Sequence, residues 1–186
     1  MAEKPVIFDL THDGGLAENL AGHVSGQLGK IIRRQFPDGE SYVRIDNAIA
    51  QRDVIFVCDL SRPDAKILPL IFAAKTAETL GARRIGLIAP YLPYMRQDMA
   101  FNPGEALAAR YFAELLDPEF DWLLTVEPHL HRIKDLSHLY TMKTIHVSAA
   151  DPIIAWIKDN IKNPLLIGPD QESRQWASII ADGLGA

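Results

Sequence analysis

The sequence predicts an α/β fold built on a parallel sheet with helices on both faces. Two observations carry that expectation. Short β-rich runs alternate with helical patterns along the whole chain, the order that parallel strands joined by helical crossovers require. Most of those runs are apolar throughout instead of alternating, as strands covered on both faces must be. The 186 residues, 48% hydrophobic and 23% charged, supply enough apolar side chain for such a core.

Taken in order, the strand-like runs are Val6–Leu10, Asp53–Asp59, Arg84–Ala89, Trp122–Val126, Thr144–Val147 and Leu165–Gly168. Ile31–Arg34 and Ser41–Ile45 flank Phe36-Pro37-Asp38-Gly39-Glu40, which reads as two strands around a Pro/Gly turn. Leu16, Leu20, Val24 and Leu28 recur every four residues and make one apolar helical stripe. Ser61-Arg62-Pro63-Asp64 has the form of a capped helix start, and Gly81 of its stop. Asn102-Pro103-Gly104-Glu105 places an N-cap Asn before a first-turn Pro; the rows Leu107/Tyr111/Leu115 and Ala108/Phe112/Leu116 follow as its buried face. Asp151-Pro152 opens another helix, and a last one is expected over about Glu172–Ala181, ending at Gly183. Trp122, Trp156 and Trp176 lie in these stripes and read as core, and Cys58 as a buried packing residue.

Composition narrows the function classes. A net charge of −5 without Lys/Arg runs argues against a nucleic-acid surface. The single cysteine, Cys58, excludes an internal disulfide. No signal-peptide pattern opens the chain, and no run approaches the ~18 apolar residues of a membrane span, so a cytoplasmic protein is expected. A boundary is expected between Val147 and Asp151, dividing a domain over 1–148 from a second unit over 149–186. With one strand between two helices, that second unit reads as unfinished.

Four segments could carry chemistry. Pro90-Tyr91-Leu92-Pro93-Tyr94-Met95-Arg96-Gln97-Asp98 follows an apolar strand, and ligands bind outside the carboxyl ends of parallel strands. There Arg96 offers a cationic fork and Gln97 paired donors and acceptors; the plainer reading is a Pro-rich loop with an Arg96–Asp98 surface ion pair. Glu127-Pro128-His129-Leu130-His131 also follows a strand; two His one residue apart can ligate a metal, or they are half-buried residues at a helix start. In Gly168-Pro169-Asp170-Gln171-Glu172-Ser173-Arg174, Asp170 suits a metal or ribose hydroxyls, or equally a helix N-cap. Phe36-Pro37-Asp38-Gly39-Glu40 is a turn whatever else it does. The sequence holds no GxxxxGK[ST] or GxGxxG motif and no serine nucleophile elbow.

In this order the four segments resemble the ribose-phosphate diphosphokinase family, the phosphoribosyl pyrophosphate synthetases. The family's Phe-x-Asp-Gly-Glu turn stands as Phe36–Glu40, its Arg-Gln-Asp loop as Pro90–Asp98, its Asp-x-His motif as Glu127-Pro128-His129, and its Pro-Asp as Pro169-Asp170. The resemblance implies a phosphoribosyltransferase-like domain over 1–148 and the beginning of a second over 149–186. It implies transfer of the diphosphoryl group of MgATP to ribose 5-phosphate, giving 5-phosphoribosyl 1-diphosphate and AMP for nucleotide synthesis. Phe36, Asp38 and Glu40 would hold adenine across a subunit contact, and Arg96 and Gln97 would bind the nucleotide. His129 would ligate Mg²⁺ and act in catalysis; Asp170 would serve the metal or ribose 5-phosphate. A homo-oligomer, hexameric and built from dimers in the family, is implied as well, with no nucleic-acid or membrane partner.

Departures from the family pattern are equally legible. Glu127 stands for the usual Asp, and Gln171-Glu172-Ser173 for small Gly-rich residues. The Thr-Gly-Gly-Thr-like loop for ribose 5-phosphate and the loop with catalytic Lys and Arg are not found in these residues, so the chain alone is expected to be inactive. Two other classes fit parts of the pattern: a non-catalytic regulatory relative, and a hydrolase whose metal sits on Glu127, His129 and His131.

Overall fold

The computed structural model describes residues 3–11, 15–169 and 173–185. They form two compact units, Met1–His146 and Val147–Ala186. In chain order the first contains β1 (Val6–Asp9), α1 (Leu16–His23), β2 (Gln27–Leu28), β3 (Ile31–Gln35), β4 (Ser41–Ile45), β5 (Asp53–Val57), α2 (Asp64–Thr79), β6 (Arg84–Ala89), α3 (Ala108–Leu116) and β7 (Trp122–Val126). The strand β8 (Lys143–Val147) runs to the boundary, and α4 (Ala150–Asn160) and α5 (Arg174–Leu184) belong to the second unit.

Six strands make one sheet in the order β2-β1-β5-β6-β7-β8, with parallel pairing from β2 through β7. The two-residue period divides it into two faces. Val6, Phe8, Val54, Phe56, Ile85, Leu87 and Leu123 point to one side, where Leu70, Ala73, Ala74 and Ala77 of α2 and Phe112, Ala113 and Leu116 of α3 cover them. Ile7, Val57 and Ile88 point to the other, against Ala17 and Ala21 of α1. The expected α/β sheet with helices on both faces is therefore what the residues build. Separately, β3 and β4 pair antiparallel from Ile31↔Ile45 to Gln35↔Ser41, around the expected turn.

Several local expectations are corrected. The Leu16–Leu28 stripe is not one helix: α1 stops at His23, Ser25 turns the chain at φ 51, and Leu28 joins β2. Its buried positions are the small Ala17 and Ala21, while Leu16, Val24 and Leu28 are exposed. Ser61 does not cap α2; its hydroxyl turns back to the Asp59 carboxylate, and no side chain caps Asp64. The far end behaves as expected: Gly81, at φ +79, donates to Glu78 O while Ala82 N donates to Ala77 O, the paired bonds of a Schellman stop.

Helix α3 begins at Ala108, not at Pro103. The Glu105 carboxylate accepts from Phe101 N (2.7 Å), Asn102 N (3.1 Å) and Asn102 Nδ2 (2.5 Å), and so closes a turn that competes with the helix. Of the two rows expected to be buried, Phe112 and Leu116 are, but Tyr111 and Leu115 are 50% and 52% exposed.

In the second unit Gly183 lies within α5, where a Cβ would come 2.4 Å from Ile154 Cδ1, and Gly185 (φ +70) ends the helix instead. Trp156 is 59% exposed and is not core. The run Leu165–Gly168, expected as a strand, has no ladder partner among the described residues. Leu165 and Ile167 are 83% and 82% exposed there, because a strand exists only against a neighbour.

Candidate functional site

Two of the segments that could carry chemistry, those after β6 and β7, leave the carboxyl edge of the six-stranded sheet. After β6 the chain is fastened by burial of Leu92 and Met95 and by Tyr94. The Tyr94 hydroxyl donates to the Asp64 carboxylate, and its ring lies 5.1 Å from Phe112. That hydrogen bond heads the causes that raise the phenol above its ordinary pKa. Tyr94 holds a left-handed φ of +63, and left-handed residues stand in the neighbouring loops too, at Arg62 and Glu127 (φ 53 and 41). Backbone of this kind costs of order 1–3 kcal/mol and gathers at functional sites.

Between Tyr94 and the next anchor, Asp98, the side chains of Arg96 and Gln97 stand in solvent. Gln97 is held by its backbone, donating to Tyr94 O (2.8 Å) and accepting from Ala109 N (3.1 Å). Among the described residues the Arg96 guanidinium forms no ion pair. The surface pair Arg96–Asp98 is not formed: the Asp98 side chain is buried and accepts from Arg132 Nη1 at 2.9 Å.

After β7, Glu127 turns the chain, His129 is half-buried and His131 exposed, their ring centroids 6.3 Å apart. Among the described residues no three His, Cys, Asp or Glu side chains gather as a metal group, so Glu127, His129 and His131 do not form the hydrolase-like cluster. One His ligand suits a cation that arrives with oxygen ligands of its own, the habit of Mg²⁺ bound to phosphates. Asp170, the other expected ligand and ribose contact, lies outside the described residues.

Phe36, Asp38 and Glu40 form the exposed tip of the β3–β4 hairpin. Its bonds are internal: Phe36 N to Glu40 O (2.8 Å), Gly39 N to Phe36 O (2.9 Å) and Glu40 N to Asp38 Oδ1 (3.1 Å). Phe36 meets Tyr42 edge-on at 6.0 Å, and Arg34 lies over both rings. No hydrogen bond, ion pair or ring contact among the described residues joins this tip to Arg96 or Gln97.

The sequence reading missed the loop after β5. Asp59 accepts from Ser61 N (3.0 Å) and from Lys66 Nζ (3.2 Å). Burial alone would raise the Asp59 carboxyl, but its bonds from Ser61 and Lys66 outweigh that and hold it below the usual range. The available signal was an Asp-x-Ser at a strand's carboxyl end with a Lys on the next helical turn.

Comparison with known proteins bears on the same segments. The family model described as the N-terminal domain of ribose phosphate pyrophosphokinase matches residues 5–118. A ribose-phosphate pyrophosphokinase of Saccharolobus solfataricus is 33% identical over 97% of this chain and 62% of its own length. One of Methanobrevibacter smithii is 29% identical over 91% and 58%. The chain thus spans about three-fifths of the length of these curated relatives. The crystal structure of phosphoribosylpyrophosphate synthetase from Mycobacterium smegmatis superposes with a TM-score of 0.83 over 98% of this chain and 62% of that one, at 22% identity, a likeness of fold. Matched across the β3–β4 hairpin and the Arg96 loop alike, the chain belongs to the ribose-phosphate pyrophosphokinase family.

Proposed function

We propose that this chain supplies the nucleotide side of a ribose-phosphate diphosphokinase. The single observation that carries the reading is the presentation of Arg96 and Gln97. Two exposed, ligand-capable side chains stand between two fastened ones, Tyr94 and Asp98, at the carboxyl edge of a parallel sheet. In the reaction the anomeric hydroxyl oxygen of ribose 5-phosphate bonds to the β-phosphorus of ATP. The bond from that phosphorus to the oxygen bridging to the α-phosphate breaks, AMP leaves, and the hydroxyl proton is released. Such transfers are governed by positioning and charge neutralisation. Arg96 holds the polyphosphate, and Gln97 fixes the nucleotide through its amide. A bound magnesium ion would supply charge neutralisation on the phosphate oxygens, with His129 its ligand from the described residues and Asp170 a second ligand or the contact to ribose 5-phosphate.

Phe36, Asp38 and Glu40 take the adenine of a second copy. The isolation of the hairpin tip from Arg96 within one chain supports a homo-oligomeric site, and a cytoplasmic setting suits these substrates. Calorimetry with MgATP tests the reading. Arg96→Ala should weaken binding by roughly 1.5–3 kcal/mol, the worth of a charge-assisted contact. Unchanged affinity removes this loop from the nucleotide site.

A further inference from the structure

Two loops carry the expected site, one after β6 with Arg96 and Gln97 and one after β7 with His129. At their base they share one long backbone contact, Val126 N to Pro90 O at 3.4 Å. Farther out, a charged link joins them: Arg132 Nη1 donates to Asp98 Oδ1 at 2.9 Å. The Asp98 side chain is 2% exposed and Arg132 41%. The Arg132 guanidinium also lies 5.4 Å from the Phe101 ring centroid, within the β6 loop. A carboxylate buried to that degree is costly unless paired and hydrogen-bonded, and removing its partner strands it. Asp98 directly follows Arg96-Gln97, so what fixes Asp98 also fixes the backbone from which those two side chains project.

We propose that Arg132 is a positioning residue: through Asp98 it locks the Arg96-Gln97 dipeptide in place against the His129 loop for nucleotide binding. This rests on the nucleotide reading of Arg96 given above. Arg132 acts here through another residue and not on the phosphates. Its planar fork suits the role better than lysine would, since one edge reaches the carboxylate while the plane covers a ring.

Calorimetry with MgATP on wild type, Arg96→Ala, Arg132→Gln, Asp98→Asn and the double variant Asp98→Asn/Arg132→Gln separates the possibilities, with near-ultraviolet circular dichroism reporting the fold. Arg132→Gln and Asp98→Asn should each weaken binding about tenfold, by analogy with what the loss of an outer hydrogen-bond partner costs a metal ligand. The double variant should be no weaker than the weaker single, because both remove the same link. Losses that multiply in the double variant would mean that Arg132 touches the nucleotide itself, and would overturn the proposal. Unchanged affinity in Arg132→Gln, with Arg96→Ala weakened, overturns it and leaves the nucleotide reading intact. Unchanged affinity in Arg96→Ala sinks the reading on which it rests. If Arg132→Gln does not fold, Asp98→Asn breaks the pair from the other side, and wild-type affinity there overturns the proposal.

Discussion

Individual carboxylates do much of the long-range tying in this chain. Asp117, at the end of α3, accepts from Thr141 N at 2.8 Å and Met142 N at 2.9 Å, and so fastens the approach to β8. Burial works to raise its carboxyl, but the bonds from Met142 and Thr141 outweigh it and leave it below the ordinary 3.8. A carboxyl lowered by folding stabilises the protein above the unfolded pKa, and that contribution is lost as pH falls through the folded one. Asp117→Asn should therefore cost about 1–2 kcal/mol in urea unfolding at neutral pH. The gap from wild type should narrow as pH is lowered through and below the carboxylate range; a gap that ignores pH would assign the effect to packing. His129 belongs to the same scale. In the active assembly, His129→Ala should lower turnover far more than thermal stability, and an unaltered rate at limiting Mg²⁺ would remove it from the site.

At the scale of elements, close approach decides which residues a strand or helix tolerates. Gly86 on β6 stands opposite Trp122 on β7, and a Cβ there would come 2.0 Å from the indole ring. Gly86→Ala should destabilise by roughly 1–3 kcal/mol through overpacking. The same change in a Trp122→Leu background should cost much less; equal costs would point to the backbone instead of the ring. Close approach also accounts for α1, whose buried contact with Ile7 and Val57 is made by Ala17 and Ala21, with Leu20 packed at its side and Leu16 exposed. In α3, Tyr111 and Leu115 stay exposed and, with Ile67, Tyr94, Ala108 and Phe112, line an apolar groove of about 180 Å³.

At the scale of the molecule the two units differ in what holds them. Met1–His146 has a sheet with a core on each face; Val147–Ala186 has a helix pair and the run Leu165–Gly168, which has no ladder partner among the described residues. Amide exchange should be faster over 151–169 and 173–185 than over the strands β1, β5, β6 and β7, since protection follows buried hydrogen-bonded backbone. Equal protection would require a ladder for Leu165–Gly168. No ribose 5-phosphate loop of the family's kind is legible in these 186 residues, so MgATP and ribose 5-phosphate should give no AMP above background with this chain alone. Turnover by it would mean that the acceptor binds on residues assigned no such role above.

The sequence by itself determined the parallel α/β architecture, the hairpin with its Phe36–Glu40 turn, the Gly81 helix stop and the loops that bear Arg96 and His129. These rest on periodicity, burial on two faces and turn chemistry, all written within a few neighbouring residues. Tertiary structure alone decided the partners of Asp64 and Asp98 and the exposure of Tyr111, Leu115 and Trp156, whereas the late start of α3 and the missing cap of α2 come from local bonds, Glu105 with Phe101 and Asn102 and Ser61 with Asp59. Glu105, local as it is, also shows that one carboxylate can outbid a helix-start pattern. The two carboxylate pairings span the fold: Asp64 meets Tyr94 across 30 residues and Asp98 meets Arg132 across 34. No local pattern encodes such pairings, because a carboxylate takes whichever donor the packed chain brings within reach.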